Sequence, residues 1–173
     1  VDIIDYLMEN GLFGEVEVGG LCCTAHDNSR YDKRAKIMGP ISWQLRYIRS
    51  GIPDVVVVDE QCLRTDIVEE ARKIGAPVIA TSEKSMLGLP NRTHDHPDTI
   101  VNDLVEGKIP GVFIMEPKKV GEVVVKTALK MEPKRKGYKA FSKEELFELA
   151  EECRNCMECV RACPNNLPVM DAV

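Results

Sequence analysis

The 173-residue sequence predicts an α/β fold in which helices cover both faces of a parallel sheet. Segments of strand type and helix type alternate through residues 1–131, which is the order expected of such a sheet. The run at residues 54–58 is Asp-Val-Val-Val-Val, and a strand is apolar throughout when helices bury both of its faces. Farther along, four of the seven cysteines are clustered within residues 153–163. We therefore expect an α/β domain followed by a small cysteine-rich unit.

The first half of the chain contains two helix signals and two strand signals. Residues 2–10 predict a short amphipathic helix, and residues 15–18 predict a strand that runs into Gly-Gly-Leu-Cys-Cys. Pro40 is a typical first residue of a helix, and apolar residues at helical spacing follow it until Gly51 ends the pattern. The apolar strand at residues 54–58 comes next.

The second half repeats this alternation. Residues 65–74 predict a helix that Gly75 ends, and residues 77–80 predict a short strand. Residues 82–97 have no periodicity and predict a loop. A helix at residues 98–106, a strand at 111–115 and a helix at 117–131 complete the domain. The four strands with helical crossovers predict a Rossmann-like parallel sheet over residues 1–131.

Charge marks the predicted boundary between the two units. Residues 132–141 contain proline, glycine and a run of basic residues, the composition of an exposed linker. Ser142, with Glu145 three positions later, resembles a capping box at the start of a helix that leads to Cys153. The sequence therefore predicts a domain at residues 1–131, a basic linker at 132–141 and a second unit at 142–173.

Overall composition excludes several classes of protein. The net charge of −5 disfavours a general nucleic-acid binder. The longest apolar runs have four or five residues, whereas a membrane-spanning helix needs about 20. The first residues lack the basic and then apolar pattern of a signal peptide, so a soluble, cytoplasmic protein is expected. Because residue 1 is Val and the last motif stops close to the end, we expect an internal fragment of a longer chain.

The strongest chemical signal is the spacing C-x2-C-x2-C-x3-C-P, formed by Cys153, Cys156, Cys159 and Cys163 with the proline that follows. Bacterial ferredoxins hold 4Fe-4S clusters with this run, and its fourth cysteine ligates the other cluster in two-cluster domains. A zinc site is the alternative, but zinc motifs rarely place three cysteines at successive x2 spacings. No cysteine follows Cys163, so the four cysteines could hold a single 4Fe-4S cluster in an altered geometry, but residues 142–173 are expected to be the first half of a ferredoxin-like domain.

The remaining cysteines follow two of the predicted strands. Cys22 and Cys23 come after the first strand, and Cys62 comes after the strand at residues 54–58. Ligands bind at the carboxyl ends of the strands in open α/β sheets, and the N-terminus of a following helix favours thiolate, the form that binds metals. These three thiols are therefore candidate metal ligands, although buried cysteines also serve as small apolar core residues.

Three segments together resemble a known family. They are residues 20–25 (Gly-Leu-Cys-Cys-Thr-Ala), residues 57–62 (Val-Val-Asp-Glu-Gln-Cys) and residues 79–84 (Ile-Ala-Thr-Ser-Glu-Lys). In this order they resemble the nickel-iron carbon monoxide dehydrogenases, most closely the archaeal branch formed by the catalytic (alpha) subunits of acetyl-CoA decarbonylase/synthase complexes. That branch contains a ferredoxin-like insertion after its Rossmann-like domain, and the cysteine run at residues 153–163 lies where the insertion would begin.

The resemblance implies a cofactor and a reaction. Cys62 and one of Cys22 or Cys23 would bind a Ni-Fe-S cluster, with Cys23 favoured because it is nearer the helix that follows. The enzyme would interconvert CO and water with CO2, two protons and two electrons, and 4Fe-4S clusters would pass the electrons to ferredoxin. A small companion subunit and an acetyl-CoA synthase component are the implied partners. The other ligands and catalytic groups would lie outside residues 1–173, so the fragment alone is expected to be inactive.

Two alternatives remain at this stage. The chain could be a ferredoxin-type electron-transfer module whose α/β domain only docks a partner. It could also be a hybrid-cluster protein, a relative in fold that is expected to use a carboxylate where this sequence has Cys22 and Cys23, so this cysteine pair disfavours that alternative.

Overall fold

A computed structural model describes residues 1–60, 63–135 and 143–151, together with Cys153, Met157, Val160, Arg161 and Cys163. Helices and strands alternate along most of the chain. In order they are α1 Asp2–Glu9, β1 Gly19–Leu21, α2 Cys22–Tyr31, β2 Lys36–Gly39, α3 Gln44–Arg49, β3 Val56–Val58, α4 Ile67–Lys73, β4 Val78–Ala80, α5 Pro97–Val105, β5 Gly111–Phe113, α6 Pro117–Arg135 and α7 Lys143–Glu151.

All the strand pairs are parallel, which confirms the predicted α/β class. β1 pairs with β2, and β3, β4 and β5 form a second sheet in that order. In the second sheet Val56 lies opposite Val78, which in turn lies opposite Gly111. The described strands thus form two parallel sheets, whereas the sequence predicts one.

Helices cover both faces of the three-stranded sheet, as the apolar runs predict. Val78 and Ala80 of β4 pack on one face with buried residues of α3 and α4. Ile79, which lies between them, points to the other face and packs with residues of α5 and α6. Phe113 and its neighbour Val112 divide between the two faces in the same way. Because successive side chains alternate, one apolar strand supplies both halves of the core.

The first sheet differs from its prediction in two ways. The predicted strand at residues 15–18 is wrong in position, because β1 is Gly19–Leu21. The strand β2, Lys36–Gly39, is absent from the prediction. Ile37 of β2 is 59% exposed, so this edge strand buries no apolar face and leaves no apolar pattern in the sequence. Glycines form most of β1, and strand propensity therefore gives no signal there.

The end of the α/β region also differs from expectation. α6 continues to Arg135, so residues 132–135 of the predicted linker are helical. The rest of that linker and Ser142 lie outside the described residues, and α7 begins at Lys143. The division into domains and the ferredoxin-like extension stay predictions. In the part of the chain that is described, no helix is long and apolar enough to cross a membrane.

Glu70 of α4 connects this helix to α3. Arg49 of α3 donates to one carboxylate oxygen and Lys73 to the other, both at 2.7 Å. These hydrogen bonds, that from Arg49 first, lower the pKa of Glu70 from 4.5 to about 2. The folded pKa lies below the unfolded value. The contacts therefore stabilise the folded chain above pH 4.5, and this contribution is lost as the pH falls toward 2.

We expect Glu70→Gln to lower the urea midpoint of the chain near neutral pH, and the difference from wild type to disappear in acid. Urea unfolding followed by circular dichroism at several pH values measures this. The control is Glu69→Gln, because the Glu69 pair with Arg72 is more exposed and should matter less. An equal effect of the two variants would contradict the prediction.

Candidate functional site

A cleft of about 790 Å³ separates the two sheets. Residues of β1 line one side and residues of β3 line the other, while α3 and α6 contribute apolar side chains. The cleft runs along the whole length of both strands and includes residues just after them, such as Cys22 and Asp59, the end at which α/β proteins bind ligands. The lining residues used below are Gly20, Cys22, Cys23, Asp59, Leu63 and Thr81.

The chain passes directly from β1 into α2 at the edge of the cleft. A Cβ atom on Gly20 would lie 2.6 Å from the Cα atom of Ala25, so only glycine allows the strand to approach the first turn of the helix this closely. Cys22, the first residue of α2, has a φ of 55°, an uncommon value for a residue other than glycine. Unusual backbone of this kind tends to occur at functional sites. We call residues 20–25 the β1–α2 turn.

The β1–α2 turn brings two thiols to the cleft. Cys22 is partly buried and Cys23 is exposed, and their Sγ atoms lie 3.9 Å apart. Both belong to the first turn of a ten-residue helix, which contains no acidic residue in that turn. The positive end of the helix dipole therefore favours negative charge at this position. The arrangement can supply one or two thiolate ligands to a group bound in the cleft.

The other candidate thiol follows β3. Cys62 lies outside the described residues, but Asp59 before it and Leu63 after it both line the same cleft. The structure thus brings the chain on both sides of Cys62 to the cleft that contains Cys22 and Cys23. The third ligand position itself remains a prediction.

The donor types fit a metal-sulfur cluster in part. Soft thiolate ligands favour iron-sulfur clusters over hard cations, and a thiol pair in a preformed cleft suits that chemistry. Among the described residues, however, no group of three or more His, Cys, Asp or Glu side chains could hold a metal ion. Any complete ligand shell would therefore have to include residues outside the described ones, such as Cys62.

The ferredoxin-type cysteines are described only in part. Cys153 is exposed, and its amide donates to the carbonyl of Ala150 at 3.0 Å. Cys163 is half-buried, whereas Cys156 and Cys159 lie outside the described residues. The 4Fe-4S ligand set of residues 153–163 stays a prediction.

Sequence reasoning missed the residues that support the end of β3. The carbonyl oxygen of Val58, the last residue of the strand, accepts hydrogen bonds from the amide and the hydroxyl of Thr81. Fully buried Ser85 lies within hydrogen-bonding distance of the same oxygen. The only signal in the sequence was the resemblance of residues 79–84 to a family segment, which contains Thr81 but not Ser85 and gave Thr81 no role.

The fold and the cleft together indicate the class of this protein. It is an α/β protein with parallel strands that presents cysteine thiols in a crevice beside the carboxyl ends of its strands. The chain belongs to the Prismane/CO dehydrogenase family, whose model matches residues 2–173. This match confirms the resemblance inferred from the sequence.

Curated relatives give the same result over nearly the whole chain. The chain is similar to the acetyl-CoA decarbonylase/synthase complex subunit alpha of Methanothermobacter thermautotrophicus, with 57% identity over 173 residues. It is 48% identical over 171 residues to subunit alpha 1 of Archaeoglobus fulgidus and 47% identical over 173 residues to subunit alpha 1 of Methanopyrus kandleri. These matches cover 99%, 96% and 99% of this chain, but only 22%, 21% and 23% of the relatives. The chain thus spans about a fifth of their length.

Proposed function

We propose that the chain is part of an anaerobic carbon monoxide dehydrogenase that interconverts CO and water with CO2, two protons and two electrons. Residues of the cleft would hold one side of a Ni-Fe-S cluster, with Cys23 and Cys62 as thiolate ligands. Such a cluster, when bound, supplies the redox and Lewis-acid chemistry that the reaction needs.

The presence of two thiols in the cleft between the sheets is the observation that carries this proposal. Cys22 and Cys23 lie at the N-terminus of α2 and line the cleft together with Asp59 and Leu63, the described residues around Cys62. Buried core cysteines would pack in the apolar clusters instead, but neither Cys22 nor Cys23 is fully buried. The names of the relatives, each an alpha subunit of an acetyl-CoA decarbonylase/synthase complex, are consistent with this chemistry.

Cys23 is preferred to Cys22 for a geometric reason as well. Its side chain is the more exposed of the two, and a bound cluster must reach the sulfur from the open cleft. Cys22 occupies the strained first position of α2, where its backbone forms the turn. We therefore assign cluster binding to Cys23 and a role in forming the turn to Cys22.

The proposal extends to the second unit of the chain. Cys153, Cys156, Cys159 and Cys163 would hold 4Fe-4S clusters of a ferredoxin-like domain at residues 142–173, joined through residues 132–141 to the α/β domain at residues 1–131. Electrons would leave through these clusters to ferredoxin. The names of the relatives place them in a multisubunit complex, so a small companion subunit and an acetyl-CoA synthase component are the proposed partners, in the cytoplasm.

The test compares Cys23→Ala with Cys22→Ala in the full-length protein, purified without oxygen. We expect Cys23→Ala to lose most of its nickel and roughly 10- to 100-fold of CO-dependent viologen reduction, the range expected when the support of a metal ligand is lost, because the nearby Cys22 thiol can partly replace Cys23. Cys22→Ala should keep more than half of the nickel. Metal analysis and the activity assay, with the 4Fe-4S signals measured by electron paramagnetic resonance, give the comparison.

Each outcome has a distinct meaning. Loss of nickel in Cys23→Ala alone, with normal 4Fe-4S signals, supports the proposal as stated. Loss in Cys22→Ala alone would exchange the roles of the two cysteines. Full nickel and activity in both single variants and in the double variant would overturn the cleft as a cluster site and favour a pure electron-transfer module. We also expect residues 1–173 alone to show no CO oxidation.

A further inference from the structure

The segment that follows β4 contacts the end of β3 through its side chains. The amide of Thr81 donates a hydrogen bond to the carbonyl oxygen of Val58 at 3.0 Å, as in a regular parallel sheet. The hydroxyl of Thr81 donates a second hydrogen bond to the same oxygen at 3.2 Å. A parallel sheet needs only the amide bond at this position. The hydroxyl of Thr81 therefore adds a second hydrogen bond to Val58, the last residue of β3, which lies four positions before Cys62.

Ser85 also contacts the carbonyl oxygen of Val58. Its side chain is fully buried, and its Oγ lies 3.0 Å from the carbonyl oxygen of Ser82 and 3.4 Å from that of Val58. The hydroxyl has one proton to donate, so the shorter contact, to Ser82, is the stronger hydrogen bond and the contact to Val58 is the weaker one. The hydroxyl of Ser82 in turn accepts from the amide of Lys84 and caps the short 3-10 helix Glu83–Ser85.

Two further contacts hold the chain on either side of Cys62. Lys84 of the short 3-10 helix binds Glu60 at 2.9 Å, and the amide of Arg64 donates to Gln44 of α3 at 3.3 Å. The Lys84 pair is exposed and contributes little energy by itself. Together with the hydroxyls of Thr81 and Ser85, these contacts hold the described residues on either side of Cys62.

We propose that Thr81 and Ser85 are positioning residues, whose hydroxyls contact the carbonyl oxygen of Val58 and so fix the end of β3, the strand that precedes the proposed ligand Cys62. This inference rests on the proposed function, because it assumes that Cys62 is a ligand. Metal ligands need support from neighbouring groups that fix their orientation, and loss of that support changes both metal affinity and electronic properties. Neither hydroxyl touches the cluster in this proposal.

The test uses Thr81→Val in the full-length protein, since valine keeps the shape and removes the hydroxyl. Hydrogen exchange of a peptide covering residues 58–64, measured on protein prepared without nickel, should become about threefold to tenfold faster, as expected for loss of one hydrogen bond. In protein loaded with nickel, the g values of the active cluster should shift. Thr81→Ser, which restores a hydroxyl, should return both values to those of wild type.

Thr127→Val is the matched control, because Thr127 is fully buried and its hydroxyl has no hydrogen-bond partner among the described residues. It should change neither exchange at residues 58–64 nor the g values. Ser85→Ala gives a second test if Thr81→Val does not fold, and it should act in the same direction with a smaller effect.

Unchanged exchange, or faster exchange with unchanged g values, in both Thr81→Val and Ser85→Ala would overturn the inference. Faster exchange at residues 58–64 and shifted g values in Thr127→Val would also overturn it, because the loss of a buried hydroxyl elsewhere in the fold would then have the same effect. The exchange measurement needs no metal, so exchange can be unchanged in Thr81→Val and Ser85→Ala while Cys23→Ala still loses nickel. That combination would leave the proposed function intact and reject only the positioning role.

Discussion

Cys62→Ala in the full-length protein is expected to lose nearly all nickel and to retain less than about 1% of wild-type CO oxidation. A variant that only disturbs the support of a metal ligand loses roughly 10- to 100-fold, and removal of the ligand itself should exceed that range. The effect should also exceed that of either variant in the β1–α2 turn. Cys22 and Cys23 have sulfurs 3.9 Å apart, so one of them can partly replace the other, whereas no cysteine adjoins Cys62 in the sequence.

Metal analysis, CO-dependent viologen reduction and electron paramagnetic resonance on protein purified without oxygen measure this loss. The 4Fe-4S signals should persist, because the ferredoxin-type cysteines belong to a separate part of the chain. Cys153→Ala is the matched control and should show the reverse pattern, with a disturbed 4Fe-4S signal and nickel retained. Wild-type nickel and activity in Cys62→Ala would show that Cys62 is a packing residue.

Gly20→Ala is also expected to have a large effect, although it removes no functional group. The added Cβ would lie 2.6 Å from the Cα and 2.8 Å from the nitrogen of Ala25. Both are backbone atoms of α2, so relief requires a shift of the helix that presents Cys22 and Cys23 to the cleft. Overpacking of this kind costs about 1–3 kcal/mol, and a displaced helix would move both thiols.

We therefore expect Gly20→Ala to lower the thermal midpoint of the full-length protein, to speed hydrogen exchange in α2 and to reduce nickel content at least several-fold. Gly14→Ala is the control, because a Cβ there meets no atom within 4 Å, and it should be close to neutral. If Gly20→Ala incorporates nickel normally and its α2 amides exchange at the wild-type rate, the close approach does not determine the geometry of the thiols.

The three-stranded sheet shows what periodicity can predict. The strands β3, β4 and β5 were placed correctly because their apolar residues bury both faces, and that burial leaves a continuous apolar run in the sequence. The helices α4 and α5 followed from apolar residues at helical spacing and from the glycines beyond their ends. These features depend on local sequence and on burial, so they can be found without coordinates.

The first sheet and the β1–α2 turn show what periodicity cannot predict. β2 exposes most of its side chains, and β1 is largely glycine, so neither strand has an apolar pattern. The positive φ of Cys22 arises where a strand meets a helix at a distance that only Gly20 permits. Such features depend on backbone contacts between segments, and no property of one segment alone indicates them.

By itself the sequence determined the α/β class, the spacing of the cysteine run at residues 153–163 and the family of the protein, because apolar periodicity and ligand spacing are written directly in the order of residues. The tertiary structure alone decided that the strands divide into two sheets with a cleft between them, that two thiols line this cleft, and that Thr81 and Ser85 contact the end of β3. These are contacts between residues distant in the chain, and they depend on how the helices pack against the strands.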